Sequence, residues 1–288
     1  MRSKLFVPAS RPELFAKALA SEADALSFDL EDAVEESRKQ EAREQLAAFL
    51  DGAASKRGAK RIVVRVNGFG TRHFAQDLEA VVRPGLDILN LPMTEDAEQI
   101  VRAAAVLERL ERARGISRPI GILANIESPR ALRMAREIAM AHSRVIGLQI
   151  GYGDLLAPLG ISSSEPFATQ AVRFAVRMAA GEAGVDAYDG AYVAIDDPNG
   201  YRRDALAARQ LGFAGKSCIH PSQVALANDV FRPSEADVAH AARVVEAARA
   251  SLARGVGAFV VDGRLVDGPF ITRAEKLVEL ARRLGMPA

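Results

Sequence analysis

A closed, parallel (β/α)8 barrel with a C-terminal helix-hairpin-helix extension is the fold this sequence predicts, and three observations predict it. Eight short apolar runs precede residue 222, with amphipathic stretches rich in Ala, Glu and Arg between them. The runs are continuous rather than alternating, so strands made from them need cover on both faces, as a parallel sheet flanked by helices supplies. The 288 residues suffice for one such barrel of roughly 250 plus a small appendage. An open doubly wound sheet is the competing architecture, disfavoured because no Gly-rich dinucleotide turn follows the first run.

In chain order the strand candidates are KLFVPA (4–9), ALSFDLE (25–31), RIVVRVN (61–67), ILNLP (88–92), IGILANIE (120–127), VIGLQIGY (145–152), GAYVAI (190–195) and KSCIHP (216–221). Helical spacing fills the gaps. In TEDAEQIVRAAAVLERLERA, Val101, Ala104, Ala105 and Leu107 recur at helical intervals and Thr94 stands where an N-cap is needed. After the eighth run Ser234 should cap a long helix, AFVVDGRLVDGP reads as a hairpin closed by Asp-Gly, and ITRAEKLVELARRLG should form a last helix. The predicted barrel is residues 1–228; residues 229–288 form an extension expected to pack on the barrel or on a neighbouring chain.

The formal net charge is +1 and the basic residues are dispersed, which gives no reason to expect nucleic acid or an anionic membrane as partner. The single cysteine, Cys218, excludes an internal disulfide and suggests a reducing compartment. MRSKLFVPAS is too short in apolar residues for a signal-peptide core, and no run approaches membrane-spanning length, so a soluble cytoplasmic protein is expected.

Ligands of such barrels meet the C-terminal ends of the strands. Those ends carry Pro8 and Arg11, then Asp29, Glu31 and Asp32, Arg65 and Asn67, Pro92, Glu127, Gly151, Gly153 and Asp154, Asp196 and Asp197, and His220. Glu127 and Asp154 follow successive strands. Acidic oxygen donors without a Cys/His cluster point to a hard cation, and Mg²⁺ accepts two carboxylates and completes its octahedron with water and substrate oxygens. Glu127 could instead be an acid favoured by the helix opening at SPRAL, and Asp154 could cap a helix at DLLAP.

Arg65 has the planar fork for two-pronged recognition of a carboxylate, or for an ion pair with Asp29 or Glu31. Asp29, Glu31 and Asp32 are expected to hold the metal's waters or Arg65, with helix capping the alternative for Asp32. Pro92 and Gly153, at the same rim, are read as substrate contacts. Lys4 and Lys216 sit at strand beginnings, the wrong mouth for imine chemistry. Cys218 reads as a core residue, His220 as either a carbonyl partner or a catalytic group, and His73, His142 and His240 as surface residues on helices.

LFVPASRPELFAKAL, ADALSFDLEDAV, RVNGFGT, IESPRAL, GYGDLLAPLG, GKSCIHPSQV, NDVFRPSEADV and VVDGRLVDGP span almost the whole chain. Together they resemble the successive blocks of the citrate lyase β-subunit family, within the HpcH/HpaI aldolase superfamily. The resemblance implies a Mg²⁺-dependent carbon-carbon lyase acting on 3-hydroxyacyl thioesters such as citryl-CoA, malyl-CoA or citramalyl-CoA. By motif, Glu127 and Asp154 match the metal ligands, Arg65 the residue gripping the substrate's carboxylate or keto-acid oxygens, and Asp267 an acid that some relatives bring from a neighbouring subunit for proton transfer. Homo-oligomers, often trimers, are implied too, and Arg11 and Lys17 are candidates for CoA phosphates. One departure stands out: LPMTEDA places Met93 where the family commonly has lysine. A CoA-independent class II aldolase releasing pyruvate or a related keto acid, and a silent ligand-binding subunit, are the alternatives.

Overall fold

The computed structural model describes residues 1–253 and 255–287. Two compact units emerge, Met1–Phe231 and Arg232–Ala288. In the first, β1 (Ser3–Pro8), β2 (Ala25–Asp29), β3 (Arg61–Arg65), β4 (Ile88–Leu91), β5 (Gly121–Ile126), β6 (Val145–Ile150), β7 (Asp186–Asp189) and β8 (Gly215–Cys218) close into one barrel in sequence order. Every neighbouring pair is parallel, and β8 returns to β1. Helices occupy the connections, giving the expected (β/α)8 barrel.

Side chains alternate across each strand, so the register sorts them into inside and outside. Outward residues such as Leu26, Phe28, Ile62, Val64, Leu89 and Leu148 join the main core beneath the helices. Inside, Ala25, Val63, Ile88, Leu123 and Tyr188 make an apolar floor. Above it lies a buried polar layer of Lys4, Ser27, Asn90, Asn125, Gln149 and Ser217. Asp29 and Arg65, two residues further along β2 and β3, reach the upper rim.

The seventh strand is DAYD, not GAYVAI. Pairing stops at Asp189 because the chain must leave the sheet at Gly190, where a Cβ would press on the Tyr152 ring and the Ile150 carbonyl. Val193 and Ile195, apolar enough to mimic a buried strand, are exposed. Thr94 does not cap the following helix either: Asp96 does, accepting from the Gln99 N–H at 3.0 Å, while the Thr94 hydroxyl turns back to the Leu91 carbonyl. The buried stripe of that helix is Ile100, Ala103, Ala104 and Leu107, which leaves Val101 exposed.

Between sheet and helices β7 and β8 bury a charged network. Asp189 accepts from Arg173 (3.1 and 2.9 Å), Lys216 (2.5 Å) and the Tyr152 hydroxyl (2.8 Å). Arg173 and Lys216 also meet Asp204, at 2.6 and 2.7 Å. Burial raises the cost of charge on Asp189, but Lys216 and Arg173 outweigh it and hold the carboxyl below its ordinary value. Lys216 therefore faces out of the barrel, while Lys4 faces in. Cys218 is core as expected; burial pushes its thiol up to about 11.

In the second unit Ser234 caps the helix Glu235–Leu252, its side chain accepting from the Asp237 N–H at 3.0 Å. β9 (Phe259–Val261) and β10 (Arg264–Val266) pair antiparallel around Asp262 and Gly263, at φ 50° and 75°. Positive φ at both turn residues is what a two-residue hairpin of type I′ requires, and Asp-Gly supplies it. The helix Gly268–Arg283 follows. Among the described residues no helix is long and apolar enough to cross a membrane.

Candidate metal and substrate site

Glu127 emerges one residue beyond β5 and is 2% exposed. Its Oε1 accepts the Met93 N–H at 2.6 Å and its Oε2 accepts the Asn125 side-chain N–H at 3.1 Å. Met93 takes φ 46°, a left-handed conformation costly for a non-glycine residue. The helix that starts beside Glu127 is capped by Ser128, whose hydroxyl accepts from the Ala131 N–H at 3.0 Å. The carboxylate is thus held by the β4 loop and the barrel interior, not by the helix start. Burial pushes Glu127 up to about 7; the Met93 N–H and the Arg65 charge oppose the rise, Asp154 adds to it, and Asn125 opposes it.

Gly151, at the end of β6, lies directly against this side chain, since a Cβ there would collide with Glu127 Oε2. The short helix Tyr152–Leu156 then carries Asp154 in its first turn, exposed and making no capping bond. Tyr152 fixes this turn by its bond to Asp189. The two acids come from successive strand ends, and the charge of Asp154 reaches Glu127. Among the described residues no cluster of three or more His, Cys, Asp or Glu side chains is arranged for a metal. Glu127 and Asp154 would offer a cation two hard oxygen donors, a set that fits Mg²⁺, which keeps several waters, better than a softer ion that needs a full protein cage.

Arg65 gathers all three acids of DLEDA. Its Nε and Nη2 donate to the two oxygens of Asp29 at 2.8 and 2.7 Å, and its Nη1 lies 2.8 Å from Glu31 and 3.1 Å from Asp32. Burial disfavours its charge, yet Asp29, Glu31 and Asp32 more than offset this and hold the guanidinium firmly charged. The ion pair weighed from sequence is realised. The Nε–Nη2 edge of the fork is committed to Asp29, and Nη1 is shared by Glu31 and the more exposed Asp32. For Glu31, burial outweighs the pull of Arg65; Asp32, Glu127 and Asp29 add to the rise, to about 8.

Lys39 braces this rim. Its ammonium donates to the carbonyls of Leu30 and Glu31 (both 2.9 Å) and to Asn67 Oδ1 (2.7 Å), while Asn67 is tied to buried Asp77. Sequence reasoning passed over Lys39, Asn90 and Asn125. An asparagine inside an otherwise apolar strand was the available signal.

Other candidates are placed as follows. Pro92 is buried just after β4 and Gly153 is exposed beside Asp154. Arg11 is exposed and paired with Glu13 at 2.8 Å; Lys17 is exposed on the helix Phe15–Ala20. Asp197 caps the helix Pro198–Gln210. His220 is exposed and bonded to the Ser222 hydroxyl at 2.8 Å. Of the three histidines expected on helices only His240 lies in one; His73 is buried among Arg43, Arg72 and Glu36, and His142 precedes β6. Asp267 belongs to the second unit, and its Oδ1 is buried without a hydrogen-bond partner among the described residues.

One stability prediction follows from the raised acids. In a metal-free chain Glu31 and Glu127 keep protons to about 8 and about 7, whereas an unfolded glutamic acid loses its proton near roughly 4.3. Between these limits the folded state binds more protons, so its stability falls as pH rises. The Tm of EDTA-treated protein should drop between pH 5 and pH 8, and Mg²⁺ should recover more of it at pH 8. A flat profile would contradict the burial of these acids.

The class these residues define is a (β/α)8 barrel with a buried glutamate, an exposed aspartate and a carboxylate-bound arginine at its C-terminal rim. The chain belongs to the HpcH/HpaI aldolase/citrate lyase family, which matches residues 2–221. It is 37% identical over 288 residues to citrate lyase subunit beta of Escherichia coli (strain K12), covering 99% of this chain and 94% of that one. The L-malyl-CoA/beta-methylmalyl-CoA lyase of Cereibacter sphaeroides (strain ATCC 17029 / ATH 2.4.9) is 33% identical, covering 98% and 95%. Protein CitE from Mycobacterium tuberculosis, in complex with magnesium, acetoacetate and coenzyme A, superposes with a TM-score of 0.76 at 35% identity, covering 98% of this chain and all (100%) of that one. The citrate lyase beta subunit from M. tuberculosis complexed with oxaloacetate and magnesium gives 0.68 at 35% identity, covering 81% and 97%.

Proposed function

We propose that this chain is a Mg²⁺-dependent carbon-carbon lyase that cleaves, or forms, a 3-hydroxyacyl-CoA thioester, with a 2-keto acid and an acyl-CoA on the other side. The observation that carries the reading is buried Glu127 just beyond β5, with Asp154 following the next strand and with Asp154 and Arg65 both near enough to act on its charge. Relatives named as citrate lyase and malyl-CoA lyase, and a neighbour holding magnesium with oxaloacetate, support it.

When bound, Mg²⁺ supplies Lewis-acid stabilisation of negative charge developing on the keto-acid oxygens. Glu127 and Asp154 would hold it. Arg65, oriented by Asp29, would turn its Nη1 from Glu31 and Asp32 to the substrate carboxylate and so fix the hydroxy acid relative to the acids. Pro92 and Gly153 line the same rim. Met93 contributes its backbone N–H to Glu127 where a relative's lysine would add a charge, so thioester and anion specificity should not simply copy that of relatives.

The extension is proposed to act across copies. Val260 and Leu265 face each other in register across the hairpin and, with Phe270, are exposed. Asp267 follows directly, as the acid that would move a proton at a neighbour's site. A homo-oligomer, trimeric by family resemblance, is the expected state; cytoplasmic location and CoA contacts by Arg11 and Lys17 belong to the same proposal.

Mass spectrometry of products from hydroxyacyl-CoAs and free hydroxy acids, with and without Mg²⁺, tests the function. Metal-dependent cleavage of a thioester is expected. Turnover of free acids alone would instead establish a class II aldolase, and keto-acid binding without any turnover a silent subunit. Arg65→Lys should raise KM for the active substrate by about tenfold or more, because a point charge cannot reproduce the fork; unchanged kinetics would remove Arg65 from substrate recognition.

A further inference from the structure

Beneath the rim the barrel interior departs from the packing such barrels usually have. Its middle layer ordinarily holds branched apolar side chains, but here Lys4, Ser27, Asn90, Asn125, Gln149 and Ser217 are each at most 3% exposed. Polar groups at such depth are costly unless bonded. Ser27 Oγ, Gln149 Oε1 and Ser217 Oγ have no partner among the described residues. One file, by contrast, is bonded end to end.

Lys4 Nζ donates to Asn90 Oδ1 at 3.3 Å. The Asn90 amide donates to Asn125 Oδ1 at 2.7 Å and to the Leu123 carbonyl at 3.0 Å. The Asn125 amide then donates to Glu127 Oε2 at 3.1 Å. All donors in the file point the same way, so each bond polarises the next, and the file ends on a carboxylate oxygen. The other oxygen is held by the Met93 N–H, so the Glu127 rotamer is fixed by one donor from below and one from the side. The base of the file is itself packed: Lys4 Nζ sits 4.3 Å from the centre of the Phe6 ring, which the Arg65 guanidinium also approaches, at 5.3 Å.

Resting on the reading of Glu127 as a metal ligand, we propose that Asn125, braced through Asn90 by Lys4, is a positioning residue that sets the Glu127 carboxylate for Mg²⁺. The buried file then governs metal affinity from a side chain that touches neither metal nor substrate. Partners that orient a metal ligand are typically worth about 10–100-fold in affinity.

Calorimetric titration of the full chain with Mg²⁺ alone tests this, using Asn125→Leu, Lys4→Met, the double variant and Glu127→Gln. Asn125→Leu should weaken Mg²⁺ binding about 10–100-fold, and Lys4→Met should weaken it less. The double variant should bind no more weakly than Asn125→Leu, because Lys4 acts through Asn125. In turnover assays the Asn125→Leu deficit should recover at saturating Mg²⁺, which a general loss of structure would not allow.

Wild-type affinity in Asn125→Leu, or penalties of the two single variants that simply multiply, would overturn the inference. If Asn125→Leu does not fold, Asn125→Ser, which stays polar but is too short to reach Glu127, is read by the same criteria. Glu127→Gln separates the two levels. Undiminished Mg²⁺ binding there rejects the metal-ligand reading itself, whereas lost binding beside a normal Asn125→Leu rejects only the positioning role.

Discussion

Glu127→Gln should lower Mg²⁺-dependent turnover by about a thousandfold or more while leaving the barrel folded. The size follows from what the substitution removes. An amide keeps the shape and can still accept the Met93 N–H, but its NH2 cannot accept from Asn125 and it carries no charge, so on the proposed site Asp154 alone would face the cation. On the proposed site, losing one of two charged ligands would cost several kcal/mol of transition-state stabilisation, and each 1.4 kcal/mol or so is a factor of ten. The same change removes the titrating group that burial drives up to about 7, so the Tm of the metal-free variant should fall less between pH 5 and pH 8 than that of wild type. Turnover within tenfold of wild type, measured at saturating Mg²⁺ with circular dichroism confirming the fold, would remove Glu127 from the chemistry.

The largest effect on stability is expected at Asp189. Its two oxygens answer Arg173, Lys216 and Tyr152, all buried, and Asp204 alone cannot satisfy the two cations. Asp189→Ala would leave positive charge in the layer between sheet and helices with half its compensation gone. Removing one partner of a buried pair costs about 3–5 kcal/mol. For a barrel of this size that corresponds to a Tm lower by on the order of 10 °C. The Mg²⁺ affinity of the surviving folded protein should also fall, since Tyr152 would lose the bond that anchors the turn bearing Asp154. A Tm within 2 °C of wild type would show that the network is dispensable.

Much of the barrel was legible in the sequence because its outward-facing strand residues are continuously apolar, and burial on that side leaves a plain hydrophobic signal. The seventh strand escaped for the converse reason. DAYD spends its polar ends on the Asp189 network, while the exposed loop behind it offers Val193 and Ile195, which look more buried than they are. Helix starts failed where two candidate caps lay close together, as with Thr94 and Asp96, because sequence spacing does not say which oxygen faces the helix.

At the site, charged residues at strand ends are visible as interruptions of apolar runs, so Glu127, Asp154 and Arg65 could be picked out singly. How Arg65 divides its fork among Asp29, Glu31 and Asp32 could not. That Arg65 commits one edge to Asp29, or that Lys4 begins at the wrong mouth yet extends towards the file leading to Glu127, depends on register and side-chain reach. Neither quantity is written in one strand alone.

The apolar plug formed by Ala25, Val63, Ile88, Leu123 and Tyr188 closes the barrel opposite the rim. With the buried polar layer of Lys4, Ser27, Asn90, Asn125, Gln149 and Ser217 above it, the plug leaves the interior filled rather than hollow, so the rim residues are approached from the C-terminal mouth. Substitutions in the plug should therefore be felt first in thermal stability, with traffic at the opposite end of the barrel little changed for as long as the chain stays folded.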